Sequence, residues 1–219
     1  MVTTRRKFET DEHGAVMVEM AIILPVLLAL VLGFVDFGYA FYQWNAANKA
    51  VQVGARFAEI SNPIASGLLL EAGAPSDPNQ VGTAVPMGSY DYLCSANSAG
   101  TASCTCVTGS TCQNLNINQT AFNTIYAGDD GACQGTVNPG RPGMCDFFPG
   151  LLKSEVRIEY VASGLGYWTR PGGPVPTIKV SIVNHPFQFF FLGGLLNFAN
   201  ITMPNMLSTV TGEDLSTTY

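Results

Sequence analysis

The chain has 219 residues, a formal net charge of −6, 12% charged and 47% hydrophobic residues. That balance excludes a charge-rich disordered chain. With ten Lys and Arg in all, it also lacks the basic face that nucleic-acid binding needs. The length allows one sizeable domain plus an anchor.

Residues 1–14 read as a basic cytoplasmic leader, with Arg5, Arg6 and Lys7 just ahead of a long apolar run. Basic residues beside a span stay on the cytoplasmic side, so the remainder is expected to cross. Ala15 to Val35 are enough residues to pass a hydrocarbon core ~30 Å thick as a helix. A secretory signal peptide would be shorter and end in a small-residue cleavage site. Here the run leads instead into Asp36 and the aromatics Phe37, Tyr39, Phe41, Tyr42 and Trp44, an expected interface belt. Pro25 is tolerated within such a span.

The helical pattern continues beyond the belt. Ala46, Ala50, Val53 and Phe57 recur at spacings of three and four, while Asn45, Gln52, Arg56 and Glu59 fall elsewhere. Ser61-Asn62-Pro63 supplies the stop. Residues 15–60 are therefore predicted to be a transmembrane helix continuing as an amphipathic stalk, about 70 Å long.

One residue resists this reading. Glu19 sits five residues after Gly14 in otherwise apolar sequence, where a charge costs a few kcal/mol. A Gly-terminated basic leader followed by that carboxylate resembles type IV pilin-like precursors. With "LPVLLALVLGFVDFGYAFY" and "AANKAVQVGARFA", the segment 14–58 resembles the TadE-like pseudopilins of tight-adherence (Flp) pilus systems. The resemblance implies cutting by a prepilin peptidase between Gly14 and Ala15. It also implies pairing of Glu19 with the terminal ammonium of a neighbouring subunit. A membrane carboxylate this close to the headgroups also has the option of snorkelling or protonating. The implied partners are other pilins and an inner-membrane assembly platform. The implied location is the inner membrane, C-terminal region outside, with incorporation into the pilus and a role in surface adhesion.

Residues 61–150 are rich in turn formers and hold all six cysteines: Cys94, Cys104, Cys106, Cys112, Cys133 and Cys145. The spacings lack the C-x-x-C pairs of common zinc sites, so outside the cytoplasm disulfides stapling a loop-rich insertion are expected. Six cysteines allow 15 pairings; Cys104 and Cys106 are expected to take different partners.

Residues 151–219 read as a β-rich exported head. Val156, Ile158 and Tyr160 alternate with Glu155, Arg157 and Glu159, and Ile178, Val180 and Ile182 with Lys179, Ser181 and Val183. A third strand is expected near Met206, giving an α+β, type IV pilin-like fold with a small antiparallel sheet resting on the stalk. The patch 185–198 is too short to span a membrane and leaves core packing and a surface role both open.

No motif for catalysis, a metal or a cofactor accompanies the two histidines, His13 and His185. The acid pairs Asp129-Asp130 and Glu213-Asp214 read as solvated turns. Two functions remain: a minor pseudopilin for pilus assembly, or an uncleaved, membrane-anchored binding protein or assembly scaffold.

Overall fold

The structure is a computed structural model that describes residues 12–71, 77–133, 140–171, 173–187, 189–191, 193 and 201–215. The basic cluster at 5–7 and most of the patch beyond residue 191 lie outside the described residues. The chain divides into two compact units, one of residues up to 42 with 187–201, the other of 43–186 with 202–219.

A single helix, α1, runs from Glu12 to Ile60 with Pro25 inside it, about 70 Å at 1.5 Å per residue. In the first unit every residue from Gly14 to Leu28 is exposed on all sides. No side of this stretch is buried against the described residues, as a helix able to cross a membrane allows.

In the second unit α1 becomes one-sided. Ala47, Ala50, Val51, Gly54, Ala55, Phe57 and Ala58 are buried, while Asn45, Gln52 and Arg56 face outward. Ala46 and Val53, expected on the inner face, are only half-buried; that face is centred instead on small residues. Gly54 explains the rotation. A Cβ there would lie 2.5 Å from Met144 Sδ and 3.2 Å from Val180 Cγ1, so the sheet and the 144 region come down directly onto the helix backbone.

The sheet has five antiparallel strands in the order β2-β1-β3-β4-β5. They are β1 Asp91–Ala96, β2 Ala102–Cys106, β3 Val156–Val161, β4 Thr177–Ile182 and β5 Met206–Thr211. Alternation puts Val156, Ile158, Tyr160, Ile178, Val180 and Ile182 in the core. Register aligns Tyr92 with Tyr160 and Tyr160 with Ile178 across the inner face. On the outer face Glu159 opposes Lys179, with Nζ 2.9 Å from Oε1. Strands β3 and β4 are those the alternation predicts, and β5 falls where a third strand is expected. Strands β1 and β2 are not: they lie within the expected loop-rich insertion, and β1 is an interior strand.

Two short helices complete the unit. Helix α2, Gln119–Ala127, is capped by Asn118, whose side chain accepts from Ala121 N–H. Helix α3, Met144–Phe147, begins where Gly143 N–H donates to Asp146 Oδ2 at 2.8 Å. Three disulfides, Cys94–Cys104, Cys106–Cys112 and Cys133–Cys145, tie the unit. Cys104 and Cys106 do take different partners. Cys94 and Cys104 are register partners across β1 and β2, so that bridge fastens an edge strand. Asp129 and Arg141 close the third loop with a paired contact, Nε to Oδ2 2.8 Å and Nη2 to Oδ1 3.1 Å. The Arg141 guanidinium also lies 4.8 Å from the Phe57 ring centroid.

Two predictions follow from this packing. Gly54→Leu should destabilise the second unit by more than the ~1–3 kcal/mol typical of overpacking, because the helix has no room to retreat. Thermal unfolding of the full chain in detergent, followed by near-ultraviolet circular dichroism, measures this. Replacing the Cys94–Cys104 pair with alanines should cost about 2–3 kcal/mol on the loop-entropy scale. Amide exchange in that variant should rise first in β2, while β3 and β4 stay protected.

Candidate functional site

The expected assembly residues lie at the start of α1. Gly14 and Ala15 fall within its first turns, and a Cβ on Gly14 would meet nothing within 4 Å. Gly14, Ala15 and Glu19 are all exposed. Glu19 has no hydrogen-bond or ion-pair partner among the described residues, and its neighbours Val16, Met17, Val18 and Met20 are exposed apolar side chains. A lone carboxylate in an apolar collar is the arrangement that a second chain can complete.

A second carboxylate on α1 is treated in the opposite way. Asp36 directly follows the apolar run, and its side chain is fully buried. Its Oδ1 accepts from Phe190 N–H at 3.0 Å and its Oδ2 from Phe191 N–H at 2.9 Å. Charge-assisted bonds of this kind offset the desolvation of a buried carboxylate. Around them the rings interlock: Phe37 meets Phe189 edge-on at 6.4 Å, and Tyr39 meets Phe190 at 4.9 Å. The sequence pattern marks Asp36 only as the end of a span. Its role depends on a segment some 150 residues away, which no local pattern signals.

The second unit holds two buried polar centres. His185 Nδ1 lies 2.8 Å from Glu155 Oε2, and the same oxygen accepts from Leu152 N–H at 2.9 Å. Glu155 was expected to face outward with Arg157; the 3-10 turn at 153–155 turns it inward before β3 begins. Elsewhere Tyr92 donates to Glu71 Oε1 at 2.5 Å, and Gln113 N–H donates to both groups. Burial, then the Glu71 hydrogen bond, push the Tyr92 hydroxyl well above its ordinary pKa. Both centres are closed by their own hydrogen bonds and join separate loops to the sheet, which is a structural task. Among the described residues no group of three or more His, Cys, Asp or Glu is arranged to hold a metal.

Of the acid pairs read as solvated turns, Asp129 is held by Arg141, whose hydrogen bonds lower its pKa. Asp91 is different. Its Oδ1 is buried and has no hydrogen-bond partner among the described residues. Burial raises its pKa, Glu159 raises it further, and Lys179 partly offsets them.

Comparison with known proteins gives a match to part of the chain. No curated protein matches the chain, and no solved structure matches it. Among the described residues one helix is long and apolar enough to cross a membrane.

The Asp91 environment makes a prediction about pH. A carboxyl whose pKa is raised on folding binds its proton more tightly in the native state, so its contribution to stability falls as pH rises through the carboxylate range. Asp91→Asn should therefore unfold at a higher temperature than the parent chain at pH 7. The gap should narrow as pH is lowered to 4. A constant gap across that range would refute the assignment.

The segment of α1 that carries Gly14, Ala15, Glu19 and Asp36 is similar to one known family: residues 14–56 match the family model described as TadE-like protein.

Proposed function

We propose that this chain is a minor, pseudopilin-like structural protein of a tight-adherence pilus. The carrying observation is the match of segment 14–56 to the TadE-like family model, with Glu19 lacking a partner among the described residues on a stretch of α1, Gly14 to Leu28, that is exposed throughout. In this reading α1 crosses the inner membrane with its N-terminus in the cytoplasm. A prepilin peptidase cuts between Gly14 and Ala15. Glycine at the cut site weakens the first helical turn, which helps a peptidase reach an extended backbone.

Cutting leaves a new ammonium at Ala15, four residues before Glu19. In a stack of parallel helices, Glu19 of one chain meets the ammonium of the next. Either charge alone in lipid is costly, so the pair penalises every other register more than it strengthens the right one. The second unit, closed by three disulfides, then stands outside the membrane. Its partners are the other pilins and the assembly platform, and its task is adhesion through the filament. Nothing in this mechanism calls for catalysis or a cofactor.

Two measurements test the reading. Intact mass and N-terminal sequencing of protein from its native membrane should give a start at Ala15. A start at Met1 or Val2 would favour an uncut, membrane-anchored binding protein or scaffold instead. Glu19→Ala should leave membrane insertion intact while cutting co-purification with pilins at least tenfold, and unimpaired assembly would sink the pairing.

A further inference from the structure

We infer that Phe189, Phe190 and Phe191 form a second membrane-contact element, fastened to α1 by Asp36 and seated in the outer interface of the bilayer. The inference rests on the anchored reading above and adds a surface to it.

The argument starts from depth. Ala15 to Val35 span about 31 Å as a helix, the thickness of a hydrocarbon core. Asp36 is the next residue, so it stands at the outer boundary of that core. Its carboxylate holds the amides of Phe190 and Phe191, which fixes those two residues at the same level. Aromatic side chains concentrate at this depth in membrane proteins.

Exposure points the same way. Phe190 and Phe191 are 62% and 44% exposed, and on α1 Phe34, Phe37 and Phe41 are also open. Five open phenylalanines around one buried aspartate would be a poor surface in water. Core packing, one of the two readings the patch allowed, does not hold for Phe190 and Phe191.

The polar groups are arranged for the same setting. Backbone N–H groups brought towards lipid need partners, and unmet ones cost several kcal/mol each. Asp36 satisfies two, and Phe187 N–H donates to Ile201 C=O at 2.8 Å as the segment departs. The carboxylate is hidden and its charge is spent on amides, so the outward surface is apolar.

The test uses the full-length chain in vesicles of phosphatidylethanolamine and phosphatidylglycerol. Trp44 and Trp168, the two native tryptophans, are replaced by phenylalanine, and one tryptophan is introduced by Phe190→Trp. A parallel chain carries Leu28→Trp instead, inside the span. Lipids brominated near the headgroup end of the acyl chains should quench the residue at 190 by at least twofold, and aqueous iodide should quench it weakly.

Strong iodide quenching at 190 without bromolipid quenching would overturn the inference. Protection from both quenchers would overturn it too, since a protein surface would then cover the segment. If the residue at 28 is also untouched by brominated lipids, the anchored reading itself fails; if only 190 is untouched, the inference alone fails. Phe191→Trp repeats the measurement should the first variant misfold. Adding Asp36→Ala should at least halve bromolipid quenching at 190, and unchanged quenching would refute the fastening role.

Discussion

The close approach of α1 to its sheet at Gly54 is the constraint on which the second unit depends. Helix and sheet usually keep about 10 Å between their backbones, with side chains filling the gap. Here Ala47, Ala50, Gly54, Ala55 and Ala58 remove those side chains. Met144 of α3 and Val180 of β4 reach the helix backbone directly. The hydroxyls of Tyr160 and Tyr92 tie the segment 64–71 to the sheet, the first accepting from Ile64 N–H and the second donating to Glu71.

A stripe of small residues also explains what was legible in the sequence and what was not. Alternation in 155–161 and 177–183 marks β3 and β4 plainly, because Val, Ile and Tyr alternate there with charged or small polar residues. The long helix is equally plain, since an unbroken apolar run leaves no other fold. The inner face of the stalk is harder to see. Glycine and alanine carry little hydrophobic signal, so a reading weighted towards Val53 and Phe57 turns the face away from Gly54.

Strands β1 and β2 were hidden for a different reason. Their inward positions are Tyr92, Cys94, Ala96, Ala102 and Cys104, and four of their sequence neighbours, Ser95, Thr101, Ser103 and Thr105, are serine or threonine. Ser/Thr-rich text around cysteines reads as loop. The disulfide between register partners supplies the cohesion that larger apolar side chains provide in β3 and β4. Asp36 was illegible on any local scale, because its partners lie at 190 and 191. Glu19 and Asp36 thus show how one residue type on one helix serves two ends: the first is exposed without a partner among the described residues, the second is buried with two amides.

The disulfides join cysteines in strict sequence order: first with second, third with fourth, fifth with sixth. Among the pairings six thiols permit, this is the one that a chain emerging N-terminus first can complete stepwise. Each ring closes before the next pair of thiols appears, so no sulfur has to wait for a distant partner or give up a wrong one. Such a chain has little need of a shuffling catalyst, and the pairing is robust to the speed at which the chain emerges.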